Sequence, residues 1–186
     1  MGWSSAGPGA SDAFGVRDVN GRPVRQSRWQ TLAARISGAR EVRTLALDED
    51  LPVVVACTDD AASSSALLES SSWRPDDQVV VRHVLVLPTD RVAEATGLAA
   101  LDRYQVLDPA VLDDAAISDS AISDPGISDP GISDPALPAG YGLVVLARVQ
   151  LLDALHLSQE RSRMASLGSR HGGRVVGWQI LQRPSP

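Results

Sequence analysis

Three histidines, a single cysteine, three adjacent aspartate pairs and a serine triplet are the first places to look for chemistry in this chain. His83, His156 and His171 have no second ligand at a metal-binding interval such as H-x-x-x-H. His83 lies inside an apolar run and suits a satisfied structural role. His171 ends a helical pattern, where positive charge complements the helix dipole. Asp59-Asp60, Asp76-Asp77 and Asp113-Asp114 fall in turn-like stretches and read as solvated charge rather than acid/base pairs. Ser63, Ser64 and Ser65 lack the Gly-x-Ser-x-Gly frame of a nucleophile elbow. Cys57 follows "VVVA", which suits a buried inert thiol, and a lone cysteine makes no internal disulfide. Lysine is absent, so all 17 basic residues are arginine, which removes Schiff-base chemistry and the P-loop lysine. The expectation is therefore no catalytic residue, no metal, no cofactor and no enzyme.

The elements that position these residues follow from periodicity. The 186 residues suit one ordinary domain with a smaller unit or arm. Residues 1–26 are rich in Gly, Ser and Pro and read as a flexible arm. Residues 27–77 read as a small α/β segment of unassigned role: a helix over 27–36, then strands in "EVRTLAL" and "PVVVACT", then a short helix or loop around "SSSALLES". Residues 78–88, "QVVVRHVLVLP", form a β-branched run that predicts a buried strand. Thr89 is the expected cap of a helix reaching about Arg103. "YQVLD" is a short strand before Pro109, and 141–149, "YGLVVLARV", a long one. A helix over 157–170 follows, with Leu157, Met164, Leu167 and Gly168 on one face, stopped by Gly172-Gly173. "RVVGWQIL" (174–181) is the last strand. The order β-α-β-β-α-β after residue 77 predicts an α+β, ferredoxin-like sandwich with both helices on one face of an antiparallel sheet.

Between the two middle strands lies "AISDSAISDPGISDPGISDP", residues 116–135, a five-residue word repeated four times. Solenoid units are several times longer. Asp-Pro-Gly suits a type II turn. Fixing five residues costs about 5–10 kcal/mol, whereas burying their one isoleucine returns about 1.5–3. The stretch is expected to be disordered within an insert spanning 113–139. Either it is a passive product of sequence slippage, or it is an acidic tether. Residues 108–135 carry seven aspartates and no basic side chain. They make Asp108, Asp113, Asp114, Asp119, Asp124, Asp129 and Asp134 candidates for contact with an arginine-rich partner. A net charge of −6 argues against coating nucleic acid directly. The opening residues do not form a secretory signal and no apolar run reaches transmembrane length, so a soluble cytoplasmic protein is expected.

Residues 78–181 resemble the regulator of ribonuclease E activity B (RraB) family. The resemblance lies in "RHVLVLPTDRVAEATGLAALDRYQVLDPA" and in "YGLVVLARVQLLDALHLSQERSRMASLGSRHGGRVVGWQIL", most specifically Arg163–Trp178. It implies a small acidic cytoplasmic protein of ferredoxin-like fold that binds an RNase E-type endoribonuclease and restrains its activity, without catalytic residues or cofactor. It would affect RNA turnover through protein binding, with no membrane and no direct nucleic-acid partner. Two features depart from the family pattern: Val176 stands where an acidic residue commonly precedes Gly-Trp, and strongly acidic tails are missing. Trp178 is expected either in the core or as an exposed partner contact. The alternative is a ferredoxin-like module for small-molecule sensing or oligomerisation, since one fold hosts many roles.

Overall fold

A computed structural model describes residues 16–24, 45–47, 49–58, 63–70, 72–112 and 137–184. The described elements are β1 (Val53–Cys57), α1 (Ser63–Glu69), β2 (Val79–Pro88), α2 (Val92–Leu101), β3 (Gln105–Leu107), a 3-10 turn (Pro109–Val111), β4 (Tyr141–Gln150), α3 (Ala154–Arg170) and β5 (Arg174–Leu181). They build an α+β unit: one five-stranded sheet of order β1-β5-β2-β4-β3, every neighbouring pair antiparallel. The helix expected over 27–36 lies outside the described residues, as does most of the insert.

β2 is the sheet's centre, and nine of its ten residues are buried, so both of its faces are covered. Alternation sorts them. Val79, Val81, Leu85 and Leu87 face the three helices, against Leu67 of α1, Ala95 and Ala99 of α2, and Leu157 and Met164 of α3. Val80, Val84 and Val86 face the other way. There, Leu45 and Leu51 cover one end, and Leu112 and Leu137 the other. Each fully buried Val or Leu contributes roughly 1.5–3 kcal/mol, so this double cover is the main source of cohesion.

The helices begin and end for local reasons. α3 is capped by Asp153, whose Oδ1 accepts the His156 N–H at 2.8 Å. It stops at His171, after which Gly172 takes φ +72°, a left-handed conformation that glycine adopts without a Cβ penalty. A Cβ on Gly173 would lie 2.1 Å from the Val86 carbonyl oxygen, so the start of β5 meets β2 only through a glycine. α2 departs from expectation. Thr89 is not its cap; the Thr89 N–H is bound to the Gly140 carbonyl at 2.9 Å, and the helix starts later with Arg91 at the N-cap and no side-chain cap.

Two stretches of the first half belong to this same unit. β1 pairs with β5, placing Cys57 beside Trp178, half-buried rather than fully buried. Residues 16–24, expected within a flexible arm, instead form a docked turn. Arg17 and Pro23 are bridged, and Asp18 Oδ1 accepts the N–H groups of Asn20 (2.9 Å) and Arg22 (2.8 Å). The turn is tied down where the Asp18 carbonyl accepts Leu151 N–H at 3.3 Å and the Arg17 carbonyl accepts Gln78 Nε2 at 3.2 Å. The region 45–47, expected to be strand, is irregular and serves as cover for the sheet.

Candidate functional site

The side chains suggested by the sequence do not converge. Asp113, Asp114, Asp119, Asp124, Asp129 and Asp134 lie outside the described residues. Asp108 is exposed and caps the 3-10 turn, its Oδ1 accepting Ala110 N–H at 2.9 Å. Trp178 is 3 % exposed, packed with Val81, Leu157 and Ile180. That burial corrects the reading of Trp178 as a partner contact: a docking protein does not reach it. Asp76 and Asp77 are exposed, as expected, and Asp77 pairs with Arg74 at 2.6 Å.

A cluster of polar side chains lies inside the helix–sheet layer. Glu160 shares the buried stripe of α3 with Leu157, Met164 and Gly168. One of its carboxylate oxygens, Oε1, accepts from Arg148 Nη2 and from Gln150 Nε2, the latter at 2.7 Å. Arg148 Nε donates to Gln150 Oε1 at 2.6 Å, and Nη1 to the Asp102 carbonyl at 2.9 Å. The Tyr104 ring lies 4.5 Å from the guanidinium carbon, a cation–π contact, and meets His83 edge-on at 5.8 Å. His83 Nε2 stands 3.5 Å from Glu160 Oε2, beyond good hydrogen-bond geometry but within electrostatic reach. Burial drives the Glu160 carboxyl upward; the His83 imidazole, the Arg148 charge and the Gln150 amide outweigh it and hold the group below the ordinary range of a glutamate. Burial first, and then the neighbouring carboxylate, pushes the Tyr104 phenol far above its ordinary range.

This cluster is closed to substrate. Helix α3 covers it, and the docked turn lies across its margin, where a Cβ on Gly21 would sit 2.6 Å from Arg148 Cδ. Its arrangement is that of a buried, hydrogen-bonded ion pair that fixes helix register. The sequence reading missed it. The available signal was two polar residues, Arg148 and Gln150, spaced two apart in an otherwise apolar strand, and Glu160 in phase with Leu157 and Met164.

The accessible candidate lies at the sheet's far edge. Among the described residues β3 pairs with β4 alone, so its other side has no strand neighbour there. Ala95 and Ala99 of α2 face the core, which turns Leu98 and Leu101 outward, 46 % and 80 % exposed. Val106, in the middle of β3, is 55 % exposed. β3 ends at Leu107, and the acidic run begins at the next residue, Asp108. The edge thus joins apolar side chains, an open strand and a local excess of negative charge. Among the described residues no group of His, Cys, Asp and Glu gathers as a metal would require, and no helix is long and apolar enough to cross a membrane. No family model matches the chain, and no curated protein or solved structure matches it.

Proposed function

We propose that this protein is a non-catalytic regulator that binds an RNase E-type endoribonuclease through a basic segment of that enzyme and restrains it, altering RNA turnover. The reading starts from the RraB-like stretch over residues 78–181. It treats the domain as ferredoxin-like, with β1 added beside β5. The spatial order β5-β2-β4-β3 of the four strands after residue 77 supports that assignment, being the order a split β-α-β pair produces when its strands interleave.

The observation that carries the reading is the β3 edge. An open strand offers main-chain hydrogen bonds to an added strand, and exposed Leu98, Leu101 and Val106 offer apolar contact beside it. Nuclease segments that bind RNA are basic, and the aspartates from Asp108 onward favour such a segment and reject acidic ones. A titration of the intact protein with an RNase E-type nuclease, by calorimetry at low and at physiological salt, tests this. Saturable binding that weakens with salt is expected, and Leu101→Asp should weaken it about tenfold or more, a loss near 1.4 kcal/mol. Absence of binding at low salt, or equal binding by Leu101→Asp, overturns the proposal.

A further inference from the structure

At the opposite end of α3 from its cap, the molecule has an open cleft of about 390 Å³. Its walls come from the end of β2, the start of α2, the start of β4 and the end of α3. The polar side chains it presents are Asp90, Arg91, Glu94, Tyr141, Arg170 and His171. Three features distinguish this cleft from an ordinary dent between elements.

The first is His171, which is 7 % exposed yet reaches the cleft wall. Its Nδ1 is 2.8 Å from the Leu167 carbonyl, which only accepts, so Nδ1 carries the hydrogen. In that tautomer Nε2 carries the lone pair, and no group among the described residues bonds to it. The second is the pair of unneutralised charges. Arg91 and Glu94 satisfy one another at 3.4 Å, whereas Arg170 and Asp90 make no ion pair among the described residues. The third is the α2 N-terminus, whose first-turn N–H groups have no side-chain cap and add to the positive potential on one wall. Tyr141 donates its hydroxyl hydrogen to the Gly172 carbonyl at 3.3 Å, which leaves its oxygen lone pairs as acceptors.

Two arginines and two carboxylates leave the lining with no net formal charge, so a simple anion meets opposing fields there. A ligand carrying both signs does not. We propose that the cleft binds a small zwitterion of the free α-amino acid class. Its carboxylate would lie against Arg170 and the α2 N-terminus, and its ammonium would donate to His171 Nε2 and Asp90. The volume lies at the small end of natural ligand sites, which suits a single amino acid and excludes a dinucleotide. The site is independent of the β3 edge and of any nuclease.

The test is an amide NMR titration of the intact protein with the standard amino acids up to about 10 mM, with acetate and methylammonium as single-charge controls. At least one amino acid should shift the Glu94 and Gly172 resonances saturably, with each control about tenfold weaker or worse. Arg170→Ala, at an exposed position, should leave the melting temperature unchanged and abolish saturation; His171→Ala should do the same to binding. The proposal is overturned if no amino acid gives a saturable shift, if acetate alone matches the best of them, or if Arg170→Ala binds as the parent does.

Discussion

Helix α3 touches two polar constellations, one in the helix–sheet layer and one at its C-terminal end, and they are built on opposite principles. Inside the layer, the Arg148 charge is answered by Glu160 Oε1 and Gln150, a turn of backbone is laid over them, and Glu160 Oε2 and both His83 ring nitrogens are buried without a hydrogen-bond partner among the described residues. At the helix end, Arg170 and Asp90 have no ion-pair partner among the described residues and His171 keeps one nitrogen for a visitor. Both contain a buried histidine, so burial of a titratable group does not by itself mark a working site. What separates them is whether the charges are already answered. The internal cluster specifies how α3 sits on the sheet; the cleft is equipped to hold something else.

The sharpest way to break this contrast is to leave one internal charge unanswered. Glu160→Gln keeps the shape but strands the Arg148 guanidinium in the layer, and about 3–5 kcal/mol of stability should be lost in urea unfolding. Arg148→Met combined with Glu160→Leu should recover most of it, because an apolar pair of similar size needs no partner. Unchanged stability in Glu160→Gln would show that the pair contributes nothing. The same cluster sets a pH dependence. Because the folded protein holds the Glu160 carboxyl below the ordinary range of a glutamate, the unfolded chain binds that proton more tightly. The stabilisation is thus complete above the unfolded value and is lost as pH falls from there through the folded one. Glu160→Gln should flatten that acid limb.

Next in size is the cover. Gly21 has φ +68°, and any Cβ there collides with the aliphatic part of Arg148. Gly21→Ala should cost about 1–3 kcal/mol and should expose the bond after Arg17 to trypsin under native conditions. Unchanged proteolysis would show that the turn does not seal the cluster.

How much of this was legible in advance depends on how local the cause is. β2, β4, α3 and β5 announce themselves because β-branched runs, an apolar stripe and a Gly-Gly stop are contiguous in sequence. The insert's position was legible too, since two strands that pair must be joined. Thr89 has the right chemistry for the α2 cap, but a turn over residues 89–91, closed by Arg91 N–H on the Pro88 carbonyl, delays the helix to Val92. Composition marked residues 16–24 as an arm, and only their bonds to Gln78 and Leu151 show otherwise. The ion cluster was hidden for the same reason. Arg148 and Glu160 are twelve residues apart on different elements, and only the register that sets Arg148 opposite Val81 brings them together. Trp178 lies in the core because Leu67 of α1 and Leu157 of α3, distant in sequence, close over its face of the sheet.

The β3 edge offers a smaller perturbation that separates binding from folding. Val106→Asp places charge at a half-exposed position with no strand beyond it among the described residues, so stability should change by no more than about 0.5 kcal/mol. Affinity for a basic partner strand should nevertheless fall, because the carboxylate replaces apolar contact in the centre of the augmented edge. Loss of folding in place of loss of affinity would mean that Val106 belongs to the core, and the edge would not be a free surface.

The smallest effect is expected from the longest change. Leu112 and Leu137, which flank residues 113–136, pack in one apolar cluster with Val84, Val86 and Val176, so the chain is anchored on both sides of the repeat. Between fixed anchors, loop length enters only through closure entropy, about 0.6 kcal/mol for each doubling. Deleting Ala116–Pro135 should therefore leave the melting temperature unchanged or slightly raised, with a gain near 1 kcal/mol. The same deletion removes four of the seven aspartates in residues 108–135, so a basic partner should bind the shortened protein less tightly and with a shallower salt dependence. A drop of several kcal/mol in stability would instead mean that the repeat packs against the domain. Unchanged partner binding would leave the apolar edge alone responsible for recognition.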